Sequence, residues 1–129
     1  MRLLLDTHTF YWMLSHPERL GAAALESLED NSNELFLSAA SLWEIATKHR
    51  IGKFPAGAVL ISSLRTLLTE MKIQPLSISM EHATVAGSLE WEHRDPFDRM
   101  IAAQCIVEKL TLVSKDDAFR DVSAISLIW

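Results

Sequence analysis

A single cysteine, Cys105, is all the chain carries, so no internal disulfide can form and a multi-cysteine zinc site is excluded. Glycine is scarce at four residues, and neither a glycine-rich phosphate loop nor a nucleophile elbow is present. The five histidines fall in no close-spaced zinc pattern. No apolar run approaches the roughly 18 residues needed to cross a bilayer. The stretch Leu3-Leu4-Leu5 is also too short for a secretory signal, so a cytoplasmic, reducing location is expected. Positive charge is outweighed, 12 Lys and Arg against 17 Asp and Glu, for a net charge of −5. That balance argues against a surface that binds nucleic acid everywhere, although it leaves room for a local basic track. Repeats, low-complexity tracts and linkers are missing too.

What is present is enough for one compact unit. With 129 residues, 49% of them hydrophobic, a single domain over residues 1–129 is expected. Consecutive apolar positions at Leu3–Leu5, Glu34–Ser38 and Leu110–Ser114 predict strands buried on both faces. Gln74–Ile78 reads as a short extended stretch and Ser123–Leu127 as a last edge strand. Helical spacing predicts helices from Glu18 to Leu28, from Ser38 to Ile51 (with Gly52 as its left-handed cap), from Val59 to Met71 and from Met80 to Leu89. Another runs from Asp95 to Lys109. Strand and helix alternate, which predicts an α/β fold with a mainly parallel sheet covered on both faces. Trp43 and Cys105 lie in apolar helical patterns and are expected in the core. Phe10, Tyr11, Trp12, Phe54 and Trp91 look too numerous for one small core and are expected to leave an apolar interface patch.

Against this frame, four carboxylates stand out. Asp6 follows the first strand and Asp116 the strand at Leu110–Ser114, which puts both on one rim if the strands are parallel neighbours. Glu44 lies early in one helix and Asp98 in the first turn of another. Each has a plain structural explanation. Asp6 can start a turn, and Ser41-x-x-Glu44 fits a capping box unless Ser38 is the cap. Asp98 suits a helix dipole, and Asp116 or Asp117 can cap the short turn ending at Phe119. Asp95, directly before Pro96, is fully explained as an N-cap. Together the four acids repel one another unless something neutralises them, and a hard divalent cation does so with oxygen ligands. Lys48, His49, Arg50 and Lys53 follow Glu44, Arg94 and Arg99 flank the Asp95–Asp98 segment, and Lys115 precedes Asp116. They read either as a substrate track or as solvated helix ends.

Four motifs carry a resemblance. Leu3-Leu4-Leu5-Asp6-Thr7-His8, Ser38-x₂-Ser41-x-Trp43-Glu44-Ile45-Ala46, Asp98-Arg99-Met100-Ile101-Ala102-Ala103 and Leu112-Val113-Ser114-Lys115-Asp116-x₂-Phe119 resemble, in order, those of PIN-domain ribonucleases. The nearest likeness is to VapC-type toxins of bacterial toxin–antitoxin pairs. It implies a three-layer α/β/α domain and Mg²⁺- or Mn²⁺-dependent RNA cleavage. A homodimer inhibited by a cognate antitoxin is implied as well, with DNA contacted only through that antitoxin and no membrane association. Asp6, Glu44, Asp98 and Asp116 match the family acids, with Asp6, Asp98 and Asp116 as metal ligands and Glu44 beside the attacking water. Ser114 and Asp117 are supporting candidates, and Lys48, Arg50, Lys53 and Arg99 are expected to meet the substrate. Two other readings stay open at this point. One is a receiver-like phosphorelay domain, which usually carries adjacent acids where this chain has Asp6-Thr7. The other is a catalytically silent domain of the same fold that binds RNA or a partner.

Overall fold

The structure, a computed structural model, describes residues 1–129. Five strands, β1 (Arg2–Leu5), β2 (Glu34–Ser38), β3 (Ile73–Leu76), β4 (Thr111–Val113) and β5 (Ser126–Ile128), form one sheet in the order β3-β2-β1-β4-β5. Every neighbouring pair is parallel. Parallel pairing needs long return connections, and helices supply most of them. They are α1 (Thr7–Ser15), α2 (Ala22–Glu29), α3 (Ala39–Arg50), α4 (Gly57–Ser62), α5 (Leu64–Glu70), α6 (Met80–Ser88) and α7 (Pro96–Glu108).

Alternation along the central strands splits the core in two. Leu3 and Leu5 of β1, Leu35 and Leu37 of β2 and Val113 of β4 face one side, where Phe10, Ala24, Ile45 and Leu60 meet them. Leu4, Phe36 and Leu112 face the other, against Ile101, Ala102 and Cys105 of α7. The result is three layers. Pro75 sits in β3, an edge strand, where its missing N–H costs least. Gly52 takes a positive φ of 78° just past α3, which is why a glycine stands there.

Several sequence expectations need correction. The stretch from Val59 to Met71 is two short helices broken at Ser63, not one. Trp43 is 53% exposed rather than core, its ring lying edge-on against Phe97 at 4.7 Å. The supposed surplus aromatics are largely absorbed: Phe10 is fully buried, and Tyr11 packs edge-on against Phe54 at 4.9 Å. Exposed apolar side chains include Ile51, Val59 and Ile61 around α4, and Met80 on α6. No helix is long and apolar enough to cross a membrane.

The strand order places the topological switch at β1. The chain proceeds from β1 outward to β2 and β3, then returns to lay β4 on the opposite side of β1. The crevice beyond the carboxyl ends of β1 and β4 is where such sheets expose ligand-binding loops.

Candidate metal-dependent active site

Asp6 is built into that crevice by the sheet. Its backbone N–H donates to the Val113 carbonyl at 3.1 Å, tying the end of β1 to β4. Its carboxylate caps α1, accepting from Thr7 N–H at 2.8 Å, while the other oxygen accepts from the Ser114 hydroxyl at 2.6 Å. Asp6 is buried, 6% exposed. Burial pushes its carboxyl above the ordinary range, opposed by the Ser114 hydrogen bond, by His8 and by Thr7, and reinforced by the charge of Glu44.

Ser114 links two acids. Fully buried, its hydroxyl donates to Asp6 and accepts from the Asp116 backbone N–H at 3.0 Å. Asp116 itself is exposed, with one oxygen capping the turn that follows by accepting from Ala118 N–H at 2.9 Å. Asp6, Asp116, His8, Trp12 and Lys115 line a shallow cavity of about 220 Å³. Asp117 is exposed, and its carboxylate accepts from Arg120 at 2.6 Å. Its carboxylate is thus engaged in a surface ion pair and makes no hydrogen bond to the other acids.

Ser38, not Ser41, caps α3, accepting from Ala40 N–H at 2.9 Å. This frees Glu44 from a capping role and leaves Ser41 to accept from the Thr7 hydroxyl at 2.9 Å, which ties α3 to α1. Glu44 is 4% exposed, and its Oε2 accepts from the Lys48 ammonium one helical turn on. Lys48 is thus the counter-charge of Glu44, while Arg50 and Lys53 are exposed.

Asp95 caps α7 with two hydrogen bonds to its carboxylate, from Phe97 N–H at 2.8 Å and Asp98 N–H at 3.3 Å. That fixes the backbone of Asp98, whose carboxyl is pushed up to about 6. Burial is the main cause, opposed by a hydrogen bond from His93 and reinforced by the charges of Asp95, Asp6 and Glu44. Three elements, β1, α3 and α7, therefore bring Asp6, Glu44 and Asp98 within electrostatic reach of one another, with Asp116 joined through Ser114. Ligand atoms of His93, Asp95 and Asp98 also lie within 4.8 Å of one another. Asp95 spends one oxygen on the α7 cap, as Asp6 and Asp116 do on the turns they begin.

Arg99 departs from its expected role. Its guanidinium donates to four backbone carbonyls, those of Ala86, Leu89, Trp91 and His93, at 2.7–3.0 Å. With four of five donors committed, it straps a loop to α7 and has little left for a substrate phosphate. His93 was not singled out from the sequence, although its Nε2 lies 2.6 Å from Asp98 Oδ2. Its place directly before a capped helix is the only signal the sequence offered. Cys105 is buried, and burial with the charge of Asp6 pushes its thiol up to about 12, so it is inert.

The PIN domain description matches residues 3–125 of this chain. The chain belongs to the PIN-domain family. It is 30% identical over 118 residues to Ribonuclease VapC22 of Mycobacterium tuberculosis, covering 92% of this chain and 89% of that protein. In three dimensions this PIN domain is similar to VapBC2 from Rickettsia felis bound to a DNA fragment from their promoter. The TM-score is 0.71 at 21% identity, over 98% of this chain and 97% of that one. A toxin–antitoxin complex from Klebsiella pneumoniae gives 0.61 at 16% identity, over 95% and 94%. At such identities the structural likeness establishes the fold alone.

Proposed function

We propose that this PIN domain is an Mg²⁺- or Mn²⁺-dependent endoribonuclease and the toxin of a toxin–antitoxin pair. One observation carries the reading: Asp6, Glu44 and Asp98 converge from three elements at the sheet's switch point, with Asp116 beside them. The donor set fits a hard cation. The four site acids are all carboxylates, and Glu44, Asp98 and Asp116 each keep one oxygen without a protein partner. The Asp98 carboxyl is raised mainly by burial, and the neighbouring charges of Asp95, Asp6 and Glu44 add to the shift.

Asp6, Asp98 and Asp116 would hold the cation, which when bound lowers the pKa of water and offsets charge building on the phosphate. The protein's own contribution is placement. Thr7 N–H and the Ser114 hydroxyl hold Asp6 in a single orientation, and the same hydroxyl anchors the backbone of Asp116. Glu44 Oε1 orients the attacking water, with Lys48 holding the other oxygen. Lys115, on the rim of the Asp6–Asp116 cavity, and the exposed Arg50 and Lys53 meet the RNA backbone. Water is the nucleophile, so the ribose 2′-hydroxyl is not consumed and RNA preference arises in the groove.

The partner reading rests on the resemblance to toxins that pair with antitoxins. In it, a small cognate antitoxin holds the chain inactive and supplies the only DNA contacts. The chain works as a cytoplasmic homodimer, for which the exposed Ile51, Val59 and Ile61 are the candidate contact. The purified chain should cleave RNA with Mn²⁺ and cease on chelation. Folded Asp6→Asn should not cleave. Millimolar Mg²⁺ or Mn²⁺ should raise the melting temperature of the wild type more than that of Asp6→Asn. Expression alone should slow bacterial growth, and co-expression with the adjacent small gene should restore it. A folded wild type that binds RNA but never cuts it would establish the silent binding domain instead.

A further inference from the structure

The loop between α6 and α7 is tied together more heavily than a connector requires. Arg99 pins the carbonyls of Leu89, Trp91 and His93, and also Ala86 near the end of α6. The Trp91 and His93 rings stack at 4.7 Å and 29°, and Trp91 leans in turn on buried Phe119 at 5.7 Å. The backbone of His93 is therefore clamped by Arg99 and one face of its ring is walled by Trp91. What the assembly delivers is a single group: the Nε2–H of His93, 2.6 Å from Asp98 Oδ2. An ionised carboxylate only accepts, so at neutral pH the imidazole donates through Nε2.

We infer that His93 and Arg99 are positioning residues for Asp98: Arg99 fixes the loop, and His93 fixes the carboxylate rotamer so that Oδ1 faces the cleft. This rests on the reading of Asp98 as a metal ligand. A carboxylate free to rotate must be ordered when a cation binds, whereas one already held by a donor on its second oxygen is preorganised. The Asp95 cap fixes the backbone of Asp98 and the His93 hydrogen bond fixes its side chain, so the residue is held from both ends. Neither positioning residue needs to touch RNA or cation.

The test is Mn²⁺ affinity, measured by electron paramagnetic resonance without substrate, in variants shown to be folded by circular dichroism. His93→Ala should weaken Mn²⁺ binding about 10–100-fold, the usual cost of losing a hydrogen bond behind a metal ligand. His93→Gln places an amide donor near the same point and should recover most of that loss. Arg99→Lys cannot hold four carbonyls with one ammonium and should also weaken binding. In the His93→Ala background, Arg99→Lys should have almost no further effect on affinity, because it acts through His93. A purely structural Arg99 would lower the melting temperature yet leave affinity unchanged or additive. Wild-type affinity in His93→Ala, with affinity lost in Asp98→Asn, would overturn the inference and leave the metal site standing. Unchanged affinity in Asp98→Asn would sink both. A hyperfine coupling from bound Mn²⁺ to an imidazole nitrogen would make His93 a ligand and overturn its positioning role.

Discussion

Asp6 and Asp98 meet in one crevice but are held by opposite means. Asp6 is held by the sheet: its N–H pairs with β4, one oxygen caps α1, and the other is bonded by Ser114, just past the end of β4. Asp98 is held by a helix start and a loop, through the Asp95 cap and the His93 side chain. Both carboxyls are raised, mainly by burial, although the Asp98 side chain is still 14% exposed. A sheet fixes an acid through elements whose order the chain dictates. A loop has to be fixed by side chains that spend their polarity inward.

Exchanging the two acids of the α7 start should have the largest effect. Asp98→Asn keeps the size and the His93 contact yet removes the charge of a proposed metal ligand, so RNA cleavage should fall to background with the fold intact. Asp95→Ala should keep substantial cleavage and cost about 1 kcal/mol of stability as a lost N-cap. Turnover that disappears in folded Asp95→Ala and survives in Asp98→Asn would mean the roles are reversed.

The sheet side breaks differently. Ser114→Ala removes a buried hydroxyl that serves two partners, one of them the Asp6 carboxylate. Hydrogen bonds to charged groups contribute about 1.5–3 kcal/mol, so a stability loss of that order is expected in urea denaturation. A loss below about 0.5 kcal/mol, well under that range, would mean that Asp6 finds another donor.

The same contrast explains what could be read from sequence. Apolar runs and a parallel alternation located β1 and β4, so Asp6 and Asp116 were legible as one rim, while Ser114 came from the family resemblance alone. Pro96 behind Asp95 marked the cap, and the Ser38 cap freed Glu44 for the site. The strap was illegible because backbone carbonyls are the partners of Arg99, and every residue has one. His93 was hidden for the same reason, its orientation being set by that strap rather than by a repeating pattern. The break at Ser63 was missed because apolar spacing runs through it without a change of period. Trp43 was misplaced because a helix of small residues looks buried all round, whereas its ring covers Phe97 from outside.

A smaller effect separates the acids by pH. The Asp98 carboxyl rises in the fold from 3.8 to about 6, so the folded protein takes up this proton before the unfolded chain does. Its contribution is stabilising below the unfolded value and is lost as pH rises through the folded one. With metal chelated, the wild type should therefore lose stability relative to Asp98→Asn between about pH 4 and about pH 6. Denaturant titrations of both proteins across that window measure the difference. A difference that stays constant, or that changes in the opposite sense, would contradict an elevated Asp98.

The smallest effect concerns the cations beyond Glu44, which sequence alone grouped together. Lys48 donates to Glu44 inside the site, whereas Arg50 and Lys53 are exposed and lack an ion pair. Each cation that neutralises a phosphate of single-stranded RNA adds about 0.7 to the slope of log affinity against log salt. Arg50→Gln with Lys53→Gln should therefore flatten that slope by up to about 1.4 while leaving cleavage at saturation nearly unchanged. Lys48→Gln should behave in the opposite way. Its salt slope should match the wild type, and Mn²⁺ should bind more tightly, because Glu44 loses the ammonium that competes with a cation for its charge. Binding isotherms at several salt concentrations, with parallel Mn²⁺ titrations, resolve the two responses. If Lys48→Gln flattens the slope and leaves Mn²⁺ affinity untouched, Lys48 belongs with the substrate track after all.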